Sequence, residues 1–239
     1  MSQPLTSLSV FFPAHNEAGN IERVVRSTLE VCSSLTDRLE VIVVDDGSTD
    51  DTPTVVKGLA ESDPRVRLVR HEVNRGYGSA VKTGLKSARG DFIFYTDGDG
   101  QFDMAEIVHL IPLIESADLV AGYRIKRRDP WHRLLNARLY HLLIRALFGL
   151  KVRDVDCAFK LIRRPVVDSV SLKSEGALIS AELLVRAQAA GFRIVEMGVH
   201  HYPRQWGSAS GARLSVIIRM FAELFRFKRE LSAELRSHV

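Results

Sequence analysis

The stretch FYTDGDGQFD at residues 94–103 decides how the rest of the chain is interpreted. An apolar run of the kind found in buried strands ends here in alternating Asp and Gly. Side chains two positions apart on an extended chain point to the same side, so Asp97 and Asp99 can converge. Two neighbouring carboxylates repel each other unless a cation lies between them. Together with the amide of Gln101 they form an oxygen-rich set that suits Mg²⁺ or Mn²⁺.

The same residues are also found in structures that need no such cation. Asp-Gly pairs form hairpin turns, and a simple turn stays open as an alternative. An EF-hand loop is excluded, because Phe102 stands at its sixth position, where Gly is required, and Val108 at its twelfth, where Glu is required. Asp103 suits the N-cap of a following helix, but capping does not explain Asp97 or Asp99.

Strands and helices are predicted to alternate through the first half of the chain. The predicted strands are residues 9–13, 40–44, 66–70, 92–96 and 119–122, and the helices between them are residues 18–32, 50–60, 78–88 and 104–114. This order predicts an α/β fold with a mostly parallel sheet and helices on both faces. Ligands of such sheets bind at the carboxyl ends of the strands. The polar clusters PAHNE, DDGS and TDGDGQ, which each follow an apolar run, should therefore gather at one edge.

The second half is less regular. It is predicted to contain helices at residues 131–148, 177–189 and 214–231 and strands at residues 158–162 and 194–202. The last helix carries an apolar stripe flanked by Lys and Arg, which favours either packing on the core, contact with a partner subunit, or a position in a membrane interface. We expect a catalytic domain over residues 1–212, with halves at about 1–123 and 124–212, followed by an amphipathic helix within residues 213–239.

Composition and charge limit the classes of protein to which this chain can belong. Among 239 residues, 46% are hydrophobic and 26% are charged, which excludes a mostly disordered chain. The net charge is +4, but residues 124–153 hold nine Lys or Arg and a single acid, which favours an anionic partner. Cys32 and Cys157 form no CxxC pair, so no disulfide framework or zinc site is expected. No signal peptide and no membrane-spanning run is recognised, so we expect a soluble or surface-bound protein.

Further polar clusters also follow apolar runs. Asp45 and Asp46 could accept hydrogen bonds from a base or ribose, or they could be solvated residues beside a helix cap at Ser48 or Thr49. Asn16 and Glu17, taken alone, indicate only the start of a helix. The segment NRGYGSAVKTGL is weak support for a dinucleotide site, because the third Gly is missing and Lys82 falls where the helix begins.

The clusters together resemble the family 2 glycosyltransferases of GT-A fold. The closer likeness is to the dolichyl- and polyprenyl-phosphate glycosyltransferases, such as the dolichyl-phosphate mannosyltransferases. The likeness covers about residues 8 to 210 and rests on an ordered series of short motifs: PAHNE at 13–17, DDGS at 45–48, NRG at 74–76, DGDGQ at 97–101, GYR at 122–124, Arg133 with Arg138, Asp154 with DCAFK at 156–160, Glu182, and Arg204 with Gly207 and Ser208.

The resemblance implies roles for individual residues. It implies a Rossmann-like GT-A sheet that binds a GDP- or UDP-linked sugar and Mg²⁺ or Mn²⁺. The nucleotide-sugar ligands would be Pro13, Asn16, Glu17, Asp45, Asp46, Lys82 and Asp97, and the metal ligands would be Asp97, Asp99 and Gln101. The acceptor phosphate would contact Arg124, Arg133, Arg138, Arg204 and Ser208, and the catalytic residues would be Asp99, Arg124, Arg138 and Arg204. Arg128 and Arg145 are left as solvated or paired residues.

Some positions depart from the pattern of relatives. The Gly-Ser-Arg of many relatives is Gly122-Tyr123-Arg124 here, a Ser found in some is Ala137, and a Ser-Gly-Phe-Arg is Cys157-Ala158-Phe159-Lys160. Many relatives continue into transmembrane helices, so membrane contact of this chain is expected to be peripheral or through a partner. These departures affect the prediction of the sugar and of the acceptor contacts. The expected reaction type stays the same.

The function that the resemblance implies is inverting transfer of a sugar, such as mannose or glucose, from a nucleotide to a polyprenyl or dolichyl phosphate. An ionised phosphate needs cations for positioning and no general base. The first alternative is a hydroxyl acceptor in cell-wall or exopolysaccharide synthesis, with Asp156 or Glu182 as base. The second is a non-catalytic protein that binds nucleotide sugars. We expect a cytoplasmic protein at the membrane face, no nucleic-acid partner, and either a homo-oligomer or a membrane-protein partner as further possibilities.

Overall fold

A seven-stranded sheet forms the centre of the fold. The computed structural model describes residues 5–125, 131–204, 206 and 214–237. The strands are β1 (Leu8–Ala14), β2 (Leu39–Asp46), β3 (Val66–His71), β4 (Phe92–Tyr95), β5 (Leu119–Ile125), β6 (Lys160–Arg163) and β7 (Ile194–His200). Their order is β3-β2-β1-β4-β6-β5-β7, and only β6 runs antiparallel to its neighbours in this described sheet. The predicted α/β fold with a mostly parallel sheet is confirmed.

Helices cover both faces of this sheet. They are α1 (Ala18–Cys32), α2 (Thr52–Ser62), α3 (Tyr77–Ser87), α4 (Ile111–Ile114), α5 (Trp131–Phe148), α6 (Arg164–Ser169), α7 (Ile179–Ala189) and α8 (Leu214–Ser237). Successive residues of β1 enter different apolar clusters: Phe11 packs with α3 and α7, and Val10 and Phe12 pack with α1. The central strands are therefore largely apolar, because both of their faces are buried.

The described part of α8 packs on the core. Leu224, Phe227 and Leu231 are buried in the same cluster as Tyr140 and Ile144 of α5. The Phe227 ring also stacks on Phe148 with centroids 5.0 Å apart. The sequence left three locations open for this helix, and its described side chains show packing on the core. The helix therefore shares a core with the segment before residue 213.

The predicted helix at residues 104–114 is wrong in form. The structure has a 3-10 helix over Met104–His109 and a single α-turn, α4, over Ile111–Ile114. Pro112 lacks the N–H that would continue the helix, and its ring clashes with the carbonyl four residues earlier. The sequence also missed the short helix α6, which starts beside Pro165, and placed the end of α8 too early. The predicted N-cap is confirmed, since Asp103 Oδ1 accepts from the Ala105 N–H at 2.9 Å.

Candidate active site

The carboxyl ends of β1, β2 and β4 lie side by side. Ala14 of β1 is in register with Asp45 of β2, and Phe11 of β1 is in register with Tyr95 of β4. The loops that follow these strands therefore start at one edge of the sheet, as predicted. Pro13 is buried at the end of β1, opposite Val44.

Asp97 and Asp99 converge directly after β4. Tyr77 at the start of α3 donates its hydroxyl to Asp97 Oδ1 at 3.0 Å, and Asp99 Oδ1 accepts from the Gln101 N–H at 3.1 Å. Burial, followed by the charge of Asp99, raises the pKa of Asp97 to about 7. Gly100 has φ +70°, and a Cβ there would lie 2.2 Å from the Arg23 guanidinium. The positive φ favours glycine at this position, whereas the flexible Arg23 side chain could move away from a Cβ.

These two carboxylates fit a divalent cation. Their mutual repulsion, seen in the raised pKa of Asp97, is the kind that an ion between them would relieve. Within the described residues, no three His, Cys, Asp or Glu side chains group closely enough to hold a metal. Two carboxylates completed by substrate phosphates are a usual arrangement for Mg²⁺. Gln101 Nε2 donates to the Tyr202 carbonyl at 2.8 Å, and a metal contact through its Oε1 stays a prediction.

Glu17 and Arg204 join this cluster. Arg204 forms an ion pair with Glu17, and its Nη2 lies 3.5 Å from Asp99 Oδ2. Glu17 also accepts from Asn20 Nδ2 at 2.7 Å. Burial is the main cause that raises the pKa of Glu17, and Asn20 and Arg204 partly offset it. Arg204 therefore lies beside the Glu17 and Asp99 carboxylates, and its contact with an acceptor phosphate stays a prediction.

Asn16 joins the first two loops of the sheet edge. Its φ of 57° lies in the left-handed region, which Asn tolerates better than most residues. Its Oδ1 accepts from the Thr49 N–H at 2.9 Å, and its own N–H donates to Ser48 Oγ at 2.9 Å. Asn16 thus shapes this edge of the sheet, and its direct contact with a nucleotide-sugar donor stays a prediction.

Asp45 and Asp46 are buried supports for neighbouring loops. Asp46 accepts from His71 Nδ1 at 2.7 Å and from the N–H groups of Arg75 and Gly76 at 2.9 Å each. Asp45 accepts from the Ser48 N–H at 3.0 Å and pairs with Arg70. The alternative of solvated residues beside a Ser48 or Thr49 cap is wrong, because both side chains are buried and α2 starts at Thr52 after an Asp51 N-cap.

Lys82 also makes a structural contact. Its Nζ donates to the carbonyl of Lys173 at 3.1 Å, so the side chain joins α3 to the segment before α7. That segment lies against the start of α3, where the Gly78 N–H donates to the Glu175 carbonyl at 2.8 Å. A nucleotide contact by Lys82 stays a prediction.

A pocket lies between β5, α5 and the segment before β6, and we name it the acceptor pocket after the arginines predicted to contact the acceptor. Its volume is about 300 Å³, and its lining residues are Tyr123, Arg124, Ala137, Arg138, His141, Arg153 and Asp154. Arg124 forms a fork on buried Asp154, with Nε 2.7 Å from Oδ2 and Nη2 2.8 Å from Oδ1. The charge of Arg124 is therefore paired within the protein, and its contact with an acceptor phosphate stays a prediction.

The sequence missed two residues of the acceptor pocket. Arg153 places its guanidinium 4.7 Å from the centre of the Tyr123 ring, and His141 Nε2 accepts from the Val155 N–H at 3.3 Å. Arg153 belongs to the strongly basic segment that the sequence singled out, and this was the available signal for it. The Arg133 side chain and Ser208 lie outside what the structure describes.

Of the two carboxylates suggested as bases for a hydroxyl acceptor, Glu182 is bound to other groups of the protein, and a base role for Asp156 stays a prediction. Glu182 pairs with Arg186 at 2.8 Å and accepts from the Lys173 and Ser174 N–H groups, so the suggestion that it is a base is wrong. Asp156 has a raised pKa, caused first by burial and then by Asp154. Its Oδ1 is buried and makes no hydrogen bond to any described residue.

Known proteins resemble this chain in fold or in sequence. The glucosyl-3-phosphoglycerate synthase from Mycobacterium tuberculosis, solved with Mn²⁺, UDP-glucose and phosphoglyceric acid, superposes with a TM-score of 0.72 at 22% identity. The superposition covers 93% of this chain and 80% of that one. At this identity the likeness shows the fold.

Sequence relatives include two named transferases. Glycosyltransferase AglD of Haloferax volcanii is 34% identical over 208 residues, which cover 82% of this chain and 33% of AglD. The undecaprenyl-phosphate 4-deoxy-4-formamido-L-arabinose transferase of Yersinia pestis is 28% identical over 224 residues, which cover 92% of this chain and 67% of that protein. This chain thus spans about a third of the length of AglD.

The family model for glycosyl transferase family 2 matches residues 9–171. This range contains the three strand-end loops, the Asp97–Asp99 pair and the fork between Arg124 and Asp154. It also covers more than half of the chain. The chain therefore belongs to glycosyl transferase family 2.

Proposed function

We propose that this protein transfers a sugar, with inversion, from a nucleoside diphosphate to a polyprenyl phosphate. The Yersinia relative is named as an undecaprenyl-phosphate transferase, which supports this acceptor class. The observation that carries the proposal is the charge of the acceptor pocket. Three arginines line this pocket, Arg124, Arg138 and Arg153, and the one carboxylate among its lining residues, Asp154, is bound by Arg124.

The two exposed guanidinium groups of this pocket, Arg138 and Arg153, suit a phosphate monoester. Such a group carries about −1.5 to −2 charges near neutral pH. Arg138 and Arg153 are exposed, and within the described residues neither is placed in an ion pair. Both can therefore donate to phosphate oxygens, while Asp154 holds Arg124 in position beside them.

The donor side is proposed to use Asp97 and Asp99. They would hold Mn²⁺ or Mg²⁺, which stabilises the charge that develops on the departing nucleoside diphosphate. Mn²⁺ is present with UDP-glucose in the structure of the Mycobacterium protein of the same fold. Tyr77 and Gln101 fix the loop that carries these carboxylates through their hydrogen bonds to Asp97 and Tyr202.

The chemistry needs no proton removal from the acceptor. A phosphate oxygen that is already ionised attacks the anomeric carbon on the face opposite the diphosphate, and the bond to the diphosphate breaks. One displacement inverts the anomeric configuration and leaves no sugar bound covalently to the protein. Asp154 is occupied by Arg124, so it is not available as a base.

The lipid part of the acceptor is proposed to lie along α5. Leu135, Leu139 and Leu142 are 48%, 52% and 61% exposed, and their spacing places them on one side of the helix. Arg138, which lines the acceptor pocket, lies on the same side. No helix among the described residues is long and apolar enough to cross a bilayer. We propose peripheral contact with a membrane through this stripe, at its cytoplasmic face.

Transfer into a lipid extract tests the proposal. Purified protein would receive Mn²⁺ or Mg²⁺, a panel of radiolabelled nucleotide sugars and a short polyprenyl phosphate. We expect label in the organic phase, loss of this label with EDTA, and a decrease of about 10²-fold or more in Asp99→Asn. The matched control is Asp103→Asn, which changes an exposed capping carboxylate in the same loop and should keep most of the activity.

The acceptor class is tested with Arg153→Gln. This variant should raise the KM for the polyprenyl phosphate while the KM for the nucleotide sugar stays unchanged, because Arg153 lies in the acceptor pocket. Labelling of a polyprenol, a free sugar or a small phosphorylated acid, with none of a polyprenyl phosphate, would contradict the proposal and support a hydroxyl acceptor.

A further inference from the structure

Arg204 lies between two largely buried carboxylates that need a positive charge nearby. Its guanidinium pairs with Glu17 at the start of α1 and lies 3.5 Å from Asp99 Oδ2 in the loop after β4. The side chains of Glu17 and Asp99 are only 8% and 14% exposed. Carboxylates so far removed from water need a nearby positive charge, and in this arrangement Arg204 supplies one.

The backbone delivers Arg204 to this position. Phe102 and His201 form an antiparallel bridge between the loop after β4 and the segment after β7. Next to that bridge, the Tyr202 N–H donates to the Gln101 carbonyl at 2.8 Å, and Gln101 Nε2 donates back to the Tyr202 carbonyl at 2.8 Å. The segment that carries Arg204 is therefore bound to the same loop that carries Asp97 and Asp99.

A divalent cation and this guanidinium compete for the same oxygen. A cation held by Asp97 and Asp99 would place a second positive charge within a few ångströms of Arg204, and two such charges repel at short range. A nucleoside diphosphate changes this balance, because its oxygens offer the guanidinium a new acceptor with the matching fork geometry.

We propose that Arg204 is an internal counter-ion that exchanges with the metal. Before the donor binds, it neutralises Glu17 and Asp99. When a divalent cation and the nucleoside diphosphate arrive, the guanidinium leaves Asp99 and donates to the diphosphate oxygens. The inference rests on the divalent cation of the proposed function and is independent of the acceptor. Since binding couplings are reciprocal, metal and nucleotide should each strengthen the binding of the other.

Mn²⁺ binding without any sugar or lipid tests this exchange. The signal of free Mn²⁺ in electron paramagnetic resonance would be titrated with wild-type protein, Arg204→Gln and Arg204→Met. We expect both variants to bind Mn²⁺ at least about fivefold more tightly than the wild type, at the low end of usual coupling strengths. Added UDP or GDP should strengthen Mn²⁺ binding in the wild type more than in either variant.

Arg23→Gln is the matched control. Arg23 is an exposed arginine beside the same loop, and its Nη2 lies 3.4 Å from the Gly100 carbonyl. Its removal takes away one positive charge near the site without freeing Asp99, so Mn²⁺ affinity should change by less than about twofold. Circular dichroism and thermal unfolding would show which variants are folded, and either folded Arg204 variant suffices.

The outcomes separate this inference from the proposed function. Equal or weaker Mn²⁺ binding by the Arg204 variants, with clear binding by the wild type, overturns the exchange and leaves the metal site intact. Absence of Mn²⁺ binding in all proteins overturns both the exchange and the metal of the proposed function. Tighter binding in the variants supports the exchange even where no lipid product is formed.

Discussion

Asp97 shows how a single side chain acquires its properties from its neighbours. The sequence places this carboxylate at the end of an apolar strand, but its raised pKa arises from burial and from Asp99. The Tyr77 hydroxyl acts in the opposite direction, because a hydrogen bond to the ionised carboxylate favours that form. Tyr77 is separated from Asp97 by twenty positions, and no spacing rule for metal sites points to it.

Metal binding should depend on the protonation of Asp97. A metal ligand must be ionised, and the pKa of Asp97 is about 7 in the metal-free protein, so Mn²⁺ affinity should fall as the pH falls through about 7. In Tyr77→Phe, loss of the hydrogen bond raises the pKa further, and this fall should begin about half a pH unit to one unit higher. Mn²⁺ titrations across a pH series measure the shift.

Tyr202→Phe is the control for this prediction. Tyr202 is 48% exposed, and its hydrogen bonds to Gln101 use backbone atoms that the substitution keeps. Its pH profile should match the wild type. Identical profiles for Tyr77→Phe and the wild type would show that the Tyr77 hydroxyl does not influence Asp97.

At the scale of elements, α5 and α8 use their apolar residues differently. In α8, the apolar residues Leu224, Phe227 and Leu231 enter the core. In α5, Tyr140 and Ile144 enter that core, while Leu135, Leu139 and Leu142 stay exposed. A helix with apolar residues on two sides can serve both the core and an external apolar partner.

Leu142→Glu should weaken binding to anionic lipid vesicles by about tenfold or more. Burial of one leucine side chain stabilises by about 1.5–3 kcal/mol, and the added carboxylate is repelled by the lipid charge. Vesicle sedimentation measures the effect. Val108→Glu, at a 38% exposed apolar position on the 3-10 helix, is the control and should bind like the wild type. Equal binding by both variants would exclude the α5 stripe as the membrane surface.

The attachment of α8 depends on a buried charge. Arg186 of α7 is 7% exposed and bridges Glu182, at 2.8 Å, to Glu234 of α8, at 2.6 Å. Arg186→Ala leaves Glu182 buried without this partner, so the free energy of unfolding should fall by about 3 kcal/mol. Urea denaturation measures this change.

Arg26→Ala provides the comparison for Arg186→Ala. Arg26 also pairs with a glutamate four residues away, Glu22, but both side chains are more than half exposed. An exposed pair of this kind contributes about 0.3–0.5 kcal/mol. Similar losses in the two variants would show that burial does not strengthen the role of Arg186.

At the scale of the whole molecule, charge is distributed unevenly over a modest total. The 33 Lys and Arg residues exceed the 29 Asp and Glu residues by four, yet residues 124–153 alone carry a surplus of eight. The acceptor pocket and the exposed leucines of α5 fall within this basic region. The molecule should therefore approach an anionic surface with this side first.

Vesicle binding should weaken as salt is added. The Debye length shortens from about 30 Å at 0.01 M salt to about 8 Å at 0.15 M, which screens the attraction between the basic region and anionic lipid. Sedimentation with anionic and with neutral vesicles separates the contributions, since the neutral vesicles should show weak binding that salt barely changes. Strong salt-independent binding to both would indicate that the apolar stripe alone is responsible.

Local pattern and spacing are sufficient to predict all seven strands, most of the helices and the convergence of Asp97 with Asp99. They suffice because a parallel sheet needs apolar strands and brings their carboxyl ends to one edge. They fail at residues 104–114, where the apolar pattern predicts one helix and Pro112 interrupts it.

Only the tertiary structure decided which charges are already paired. Arg124 and Asp154 are thirty positions apart, and their fork could not be predicted from either local stretch. The same holds for Asp46 with His71, for Arg153 over Tyr123, and for Arg204 between Glu17 and Asp99. The sequence by itself determined which chemical groups reach the edge of the sheet. Their partners were decided by the tertiary structure, because ion pairs and hydrogen bonds act over a few ångströms between residues that only folding brings together.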